Sequence, residues 1–138
     1  MVKPAKEHAA LMAFMLDEWI KSGRRNSWIA ANPLEAYFQK GPYVVGSKVY
    51  RATVRLGNVA IKSEYIGCGY FSGVLHWLET LKGKTILDVI DPKEIPIEAA
   101  VIENVVGDRL MRILESRAYE GWIRYGTDNG TKHFYIEF

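Results

Sequence analysis

Glu64-Tyr65-Ile66-Gly67-Cys68-Gly69 separates the strand-like run Asn58-Val59-Ala60-Ile61 from an amphipathic run over Phe71 to Leu81. A strand that breaks into closely spaced glycines and then enters a helix gathers backbone N–H groups at the helix's positive end, which is a cradle for phosphate. The segment therefore points to a phosphate-bearing ligand. It does not point to a nucleotide-binding Rossmann unit or a P-loop, because the third glycine, the Walker lysine and the acidic residue of a dinucleotide fold are all missing.

Upstream, Lys48 to Leu56 alternates, with Tyr50, Ala52, Val54 and Leu56 on one face and Val49, Arg51, Thr53 and Arg55 on the other, as a half-buried strand does. Gly57 interrupts the pattern and predicts a tight turn or a bulge. Downstream, Phe71, Val74, Leu75 and Leu78 form a helical stripe that packs on the sheet. Within Thr85 to Ile97, Ile86 to Ile90 is compatible with a short strand or a helical turn, and Asp91-Pro92 and Ile95-Pro96 impose breaks. Trp122 to Tyr125 and Thr131 to Phe138, flanking Gly126-Thr127-Asp128-Asn129-Gly130, predict a C-terminal hairpin with Phe134, Ile136 and Phe138 facing one way. At the other end, Met12, Met15, Leu16 and Trp19 predict a helix ending near Gly23. Asn32-Pro33-Leu34-Glu35 has the grammar of a second helix start, and that helix is expected to stop at Gly41-Pro42.

The glycine segment resembles motif A of the GNAT superfamily of acyl-CoA-dependent N-acyltransferases, whose pattern is Gln or Arg, two residues, Gly, any residue, Gly or Ala; Glu64 stands at the first position. Ala100-Val101-Ile102-Glu103-Asn104-Val105 with Asp108 to Tyr119 is similar to motif B, a strand ending in Asn followed by a helix, and Ala118 stands where the family has glycine. The resemblance covers Val44 to Phe138. It implies an α+β fold, a central mixed and mostly antiparallel sheet flanked by helices, in one domain over 1–138, with 1–43 helical and 44–138 carrying the sheet and the two motif helices.

It also implies a site for acetyl-CoA. The amides of Gly67, Cys68, Gly69, Tyr70 and Phe71 would surround the diphosphate. A bulge at Gly57 or Asn58 would splay the strand from its parallel neighbour, so that Val59, Ala60 and Ile61 offer backbone groups to pantetheine. Asn104 would lie beside the cofactor. The family's usual proton donor is a tyrosine on the motif B helix, but Leu114 stands there, leaving Tyr119, Tyr125 or Tyr70 as substitutes. Glu103 is the candidate general base. Glu64 would repel the diphosphate unless it points away or pairs with Lys62 or an arginine.

The 138 residues suffice for one self-contained core, and 49% apolar with 25% charged residues excludes a disordered chain. No stretch is long enough for a membrane span, and no secretory leader is expected, because the apolar N-terminal run carries His8, Asp17 and Glu18. A lone Cys68 forms no internal disulfide, which points to a cytoplasmic protein. Helix entry lowers a thiol's pKa, yet the amide of Cys68 is the group expected to matter. His8, His76 and His133 are scattered, so no metal site is expected, and His76 falls off its helix's apolar stripe.

Three functions compete on this sequence. The first is an N-acetyltransferase acting on an amine of unknown identity, and the intact Gly67-x-Gly69 and Asn104 favour it. The second is a GNAT-like binding or structural protein without catalysis, favoured by Leu114, Glu64 and Ala118. The compact GNAT-like proteins of tailed bacteriophages are similar in brevity and in the Asn104-x-x-x-x-Arg109-Leu110 form of motif B. The third is nucleic-acid binding. The first 65 residues carry a net charge of +5 and the remainder −3, and Lys21, Arg24, Arg25, Lys40, Lys48 and Arg51 interleave with Trp28, Tyr37 and Tyr43. The acceptor and the oligomeric state are not legible.

Overall fold

Helix α1 (Ala5–Lys21) forms on its apolar stripe, burying Met12, Leu16, Trp19 and Ile20. Its carbonyl end is closed from outside the helix, because Lys40 Nζ donates to the carbonyl oxygens of Trp19, Ile20 and Ser22 at 2.8, 3.0 and 2.6 Å. A cation there complements the negative end of the helix dipole. The computed structural model describes residues 2–103, 105, 108–126 and 132–138, apart from the side chains of Asp108, Arg109 and Tyr119.

The segment expected to be a second helix is instead a hairpin, β1 (Asn26–Ala31) and β2 (Leu34–Val45), turning at Asn32 and Pro33. Leu34, Ala36 and Phe38 are buried while Glu35, Tyr37 and Gln39 between them are more exposed. That period of two lets β2 lie on the core, and it outweighs the local capping signal. Among the described residues up to 43, only α1 is helical, against the expectation of a helical 1–43.

The chain continues through β3 (Lys48–Ile61), a 3-10 turn at Ser63–Tyr65, α2 (Tyr70–Glu79), β4 (Thr85–Leu87), β5 (Glu94–Pro96), β6 (Ala99–Ile102), α3 (Asp108–Ser116), a second 3-10 turn at Ala118–Glu120, β7 (Ile123–Gly126) and β8 (Lys132–Glu137). Six strands form one sheet in the order β1-β2-β3-β6-β8-β7. The β3–β6 pair is parallel and the other pairs are antiparallel. The stretch between α2 and β6 resolves into the separate β4–β5 hairpin.

All three helices lie against one face of the sheet, where Trp19, Phe38, Leu56, Leu75, Leu78 and Leu114 are among the fully buried side chains of one continuous core. The other face gathers a smaller cluster of Val45, Tyr50 and Ala99 with Tyr43, Tyr125 and Tyr135. Tyr50 was expected on the face of Ala52, and a bulge moves it. The register passes from Gly41↔Thr53 to Tyr43↔Tyr50, so Arg51 and Ala52 together stand opposite Pro42 and the alternation reverses; the amides of Arg51 and Ala52 both donate to Glu98 Oε1, at 2.7 and 3.1 Å. Tyr50 then donates to Glu137 Oε2 at 2.6 Å, and Lys48 pairs with Oε1 of the same carboxylate at 2.7 Å.

Those two hydrogen bonds hold the Glu137 carboxyl below its ordinary range, against a smaller opposing effect of burial. Its folded pKa lies below its unfolded one, so its contribution to stability is full above the unfolded pKa and is lost as pH falls through the folded value. Glu137→Gln should therefore flatten the acid limb of a stability-against-pH curve below about pH 4.5, as read by urea unfolding at several pH values. An unchanged acid limb would show that this carboxylate is not linked to folding.

Candidate functional site

Strand β3 carries a second bulge, and this one shapes a site. Tyr37 pairs with Asn58 and Phe38 with Leu56, which leaves Gly57 without a partner on β2. On its other side β3 runs parallel to β6 from Thr53↔Ala99 to Leu56↔Ile102 and no further, closing with the Glu103 amide on the Leu56 carbonyl at 2.9 Å. Beyond that bond β3 stays with β2 as far as Ile61, and the two parallel strands part. The cleft between them has a volume of about 390 Å³ and is walled by Leu56, Gly57, Asn58, Val59, Ile102, Glu103 and, from α3, Leu110. In an antiparallel ladder every second residue aims its N–H and C=O away from the partner strand, so the splayed part of β3 presents backbone donors and acceptors to this cleft.

Of the three residues expected to line such a cleft, Val59 does. Ala60 and Ile61 lie further along β3 and wall a different depression of about 400 Å³ beside the Asn32-Pro33 turn. A third, of about 440 Å³, lies between α1 and the β4–β5 hairpin. Volume alone does not choose among them; parted parallel strands beside a carboxylate mark out the first.

The glycine segment forms the turn into α2. Gly67 and Gly69 take φ values of +83° and +91°, a conformation that glycine adopts freely. Gly69 is the N-cap and makes no side-chain cap, so the amides of Gly69, Tyr70 and Phe71 are first-turn donors without an intrahelical acceptor. The Cys68 amide differs, because it donates to the Tyr65 carbonyl at 3.2 Å. The side chains of Tyr70 and Phe71 turn into the core, with the Tyr70 hydroxyl donating to the Lys3 carbonyl at 2.7 Å. What they offer the turn is backbone. The side chains of Glu64 and Cys68 are exposed.

Glu103 is the centre of a polar cluster on the sheet face away from the helices. Its Oε2 accepts from the Tyr43 hydroxyl at 3.2 Å, and that hydroxyl lies 3.0 Å from the Tyr125 hydroxyl. Arg55 Nη1 stands 3.9 Å from Glu103 Oε1, and its guanidinium lies over the Tyr43 ring at 4.9 Å. Tyr125 stacks on His133, with centroids 4.9 Å apart. Burial is the main cause that raises the pKa of Tyr43, and burial with the Tyr43 contact and Glu103's charge raises Tyr125 further. Both hydroxyls stay protonated at neutral pH and are donors, not bases.

Asn104 lies outside the described residues, as does the side chain of Tyr119. Leu114, at the position of the family's tyrosine, is fully buried in the core and presents no polar atom. Tyr43 and Arg55 were not among the candidates for this chemistry. The only sequence signal for Arg55 was its outward place in the alternation of β3. Among the described residues no three His, Cys, Asp or Glu side chains gather as a metal site, and no helix is long and apolar enough to cross a membrane. His76 is exposed, whereas His8 and His133 are buried. The basic set proposed for nucleic acid is partly spent within the chain: Lys40 closes α1, Lys48 pairs with Glu137 and Arg51 with Asp88.

The strand order, the bulge and the parted parallel pair define the GNAT acyltransferase fold, and solved structures share it. The AtaT toxin, in a mutant form bound to the C-terminus of the antitoxin AtaR and to acetyl-CoA, aligns with TM-score 0.52 and 14% identity over 75% of this chain and 57% of that one. The chain thus spans little more than half the length of AtaT. A protein described as histone acetyltransferase HPA2 and related acetyltransferase, from Corynebacterium glutamicum, aligns with TM-score 0.51 and 16% identity over 98% of this chain and 77% of that one. No family model matches the sequence, and no curated protein matches it.

Proposed function

We propose that the protein is an N-acetyltransferase that moves an acetyl group from acetyl-CoA to an amine. The observation that carries this reading is the cleft at Gly57, where the parallel strands part beside Glu103. The pantetheine arm would lie along the splayed edge of β3, and the diphosphate would meet the amides of Gly69, Tyr70 and Phe71 at the N-terminus of α2. The acetyl-CoA bound to AtaT supports this choice of cosubstrate through the shared fold.

In the reaction, Glu103 takes a proton from the acceptor's ammonium. The freed amine attacks the thioester carbonyl, forming the C–N bond as the C–S bond breaks. The second proton of the nitrogen passes to the departing thiolate. Tyr43 and Tyr125, held protonated beside Glu103, are the chain's own hydroxyls for that relay. A second reading, a GNAT-like protein without catalysis, is favoured by the burial of Leu114 where the family has its tyrosine.

Thermal unfolding with acetyl-CoA, CoA and ATP tests the proposal. A ligand that binds only the folded chain raises the midpoint, and millimolar acetyl-CoA and CoA should do so more than ATP. Ser72, exposed in the first turn of α2, supplies the control. Ser72→Glu suits a helix start and should keep the basal midpoint while abolishing the rise, since its carboxylate opposes the diphosphate. A rise untouched by Ser72→Glu would place the cofactor elsewhere; no rise at all would remove the enzyme reading.

A further inference from the structure

Arg55 is a charged group whose hydrogen-bonding capacity no described residue takes up. Its side chain is 18% exposed, and its Nε is buried with no acceptor among the described residues. What holds the guanidinium is electrostatic: Glu103 Oε1 at 3.9 Å from Nη1 and the Tyr43 ring at 4.9 Å. Neither contact is a hydrogen bond. A guanidinium presents five N–H donors in a planar fork, and leaving them unmade in a largely buried place is costly unless something else accepts them.

Its position says what that acceptor belongs to. Arg55 immediately precedes Leu56, the last β3 residue paired with β6 and a wall of the cleft. Glu103 is both a wall of the same cleft and the ion-pair partner of Arg55. An amine brought to Glu103 therefore carries whatever lies a few bonds away past the guanidinium. The planar fork matches a carboxylate bidentately. A cation and an anion side by side, both largely buried, complement a molecule with the opposite pair at a similar spacing, which is a zwitterion.

We infer that Arg55 is the specificity-determining residue of the cleft, binding a carboxylate next to the reacting amine, so that the acceptor is a free α-amino acid. The inference rests on the acetyltransferase reading above. The test is release of CoA from acetyl-CoA with each of the twenty protein amino acids and with the matching α-carboxamides, alongside midpoint shifts by the same compounds in the presence of CoA. At least one amino acid should be preferred over its carboxamide by about 100-fold or more in kcat/KM. Arg55→Met should erase that preference, mainly through KM, and Arg55→Lys should restore part of it, while acetyl-CoA still raises the midpoint of both variants.

Equal rates on acid and amide, a preference that survives Arg55→Met, or no amino acid that turns over or shifts the midpoint would overturn the inference. The acetyl-CoA reading would stand in each of those cases if the cofactor still raises the midpoint. Failure of acetyl-CoA to raise it in the unaltered protein would overturn both.

Discussion

Replacing Glu79 by alanine lowers the stability of the fold by about 3–5 kcal/mol, the cost of removing one partner from a buried charged network. Glu79 ends α2 and its side chain is only 6% exposed. Its carboxylate accepts from Arg117 Nε at 2.8 Å, from Arg117 Nη2, and from the indole of Trp122 at 2.7 Å. One carboxylate thus ties together the ends of two helices and the approach to β7. Urea unfolding should show the loss as a lower midpoint at unchanged slope. Glu79→Gln, which keeps an acceptor for Trp122 and removes the charge facing Arg117, should fall between. A loss below about 1 kcal/mol for Glu79→Ala would mean that the pair behaves as a solvated surface bridge.

The second large effect is steric. Gly73 sits in α2 where α1 crosses it, and a Cβ built there would stand 2.8 Å from the Cβ of Ala9 and 3.4 Å from its Cα. Real Cβ atoms do not approach so closely, and the atoms of a packed helix have little room to yield. Gly73→Leu should cost about 3 kcal/mol, at the upper end of overpacking, even though leucine is the better helix former. Gly73→Ala should cost about 1–2 kcal/mol. In the double variant, Ala9→Gly reopens the space, so the two losses should sum to more than the measured total, by a margin that a double-mutant cycle resolves. Strict additivity would deny the contact.

Gly73 also shows where sequence reasoning stops. The stripe of Phe71, Val74, Leu75 and Leu78 declares that α2 is a helix and which face it buries, but nothing local says that residue 73 must be small. That demand comes from Ala9, more than sixty positions away. The elements with strong internal periods, α1, α2, β3 and the C-terminal hairpin, were legible for that reason. Residues 26–45 were not, because Asn32-Pro33-Leu34-Glu35 serves equally as a helix start and as a hairpin turn leading into an alternating strand. The separate hairpin at β4 and β5 was left open by the same short-range ambiguity.

The candidate site divides in the same way. Gly57 between two strand-like runs announced a tight turn or a bulge, of which the sheet register shows the bulge, and Glu103 at the end of the motif B strand was a candidate by position. The cluster around Glu103 was illegible as a unit. Tyr43 is 60 residues from Glu103 and 82 from Tyr125, and Arg55 comes from yet another strand. No spacing rule connects them, because strand order in the sheet sets which of them meet.

Cys68, exposed in the turn that opens α2, is the only cysteine in the sequence. Its thiol is thus a ready chemical handle: a maleimide dye attaches at one defined atom beside the amides proposed to receive the diphosphate, with no engineered cysteine. The same atom reacts with the disulfide reagents used to count liberated CoA. Such a measurement therefore carries a background of up to one equivalent per chain, which Cys68→Ser removes.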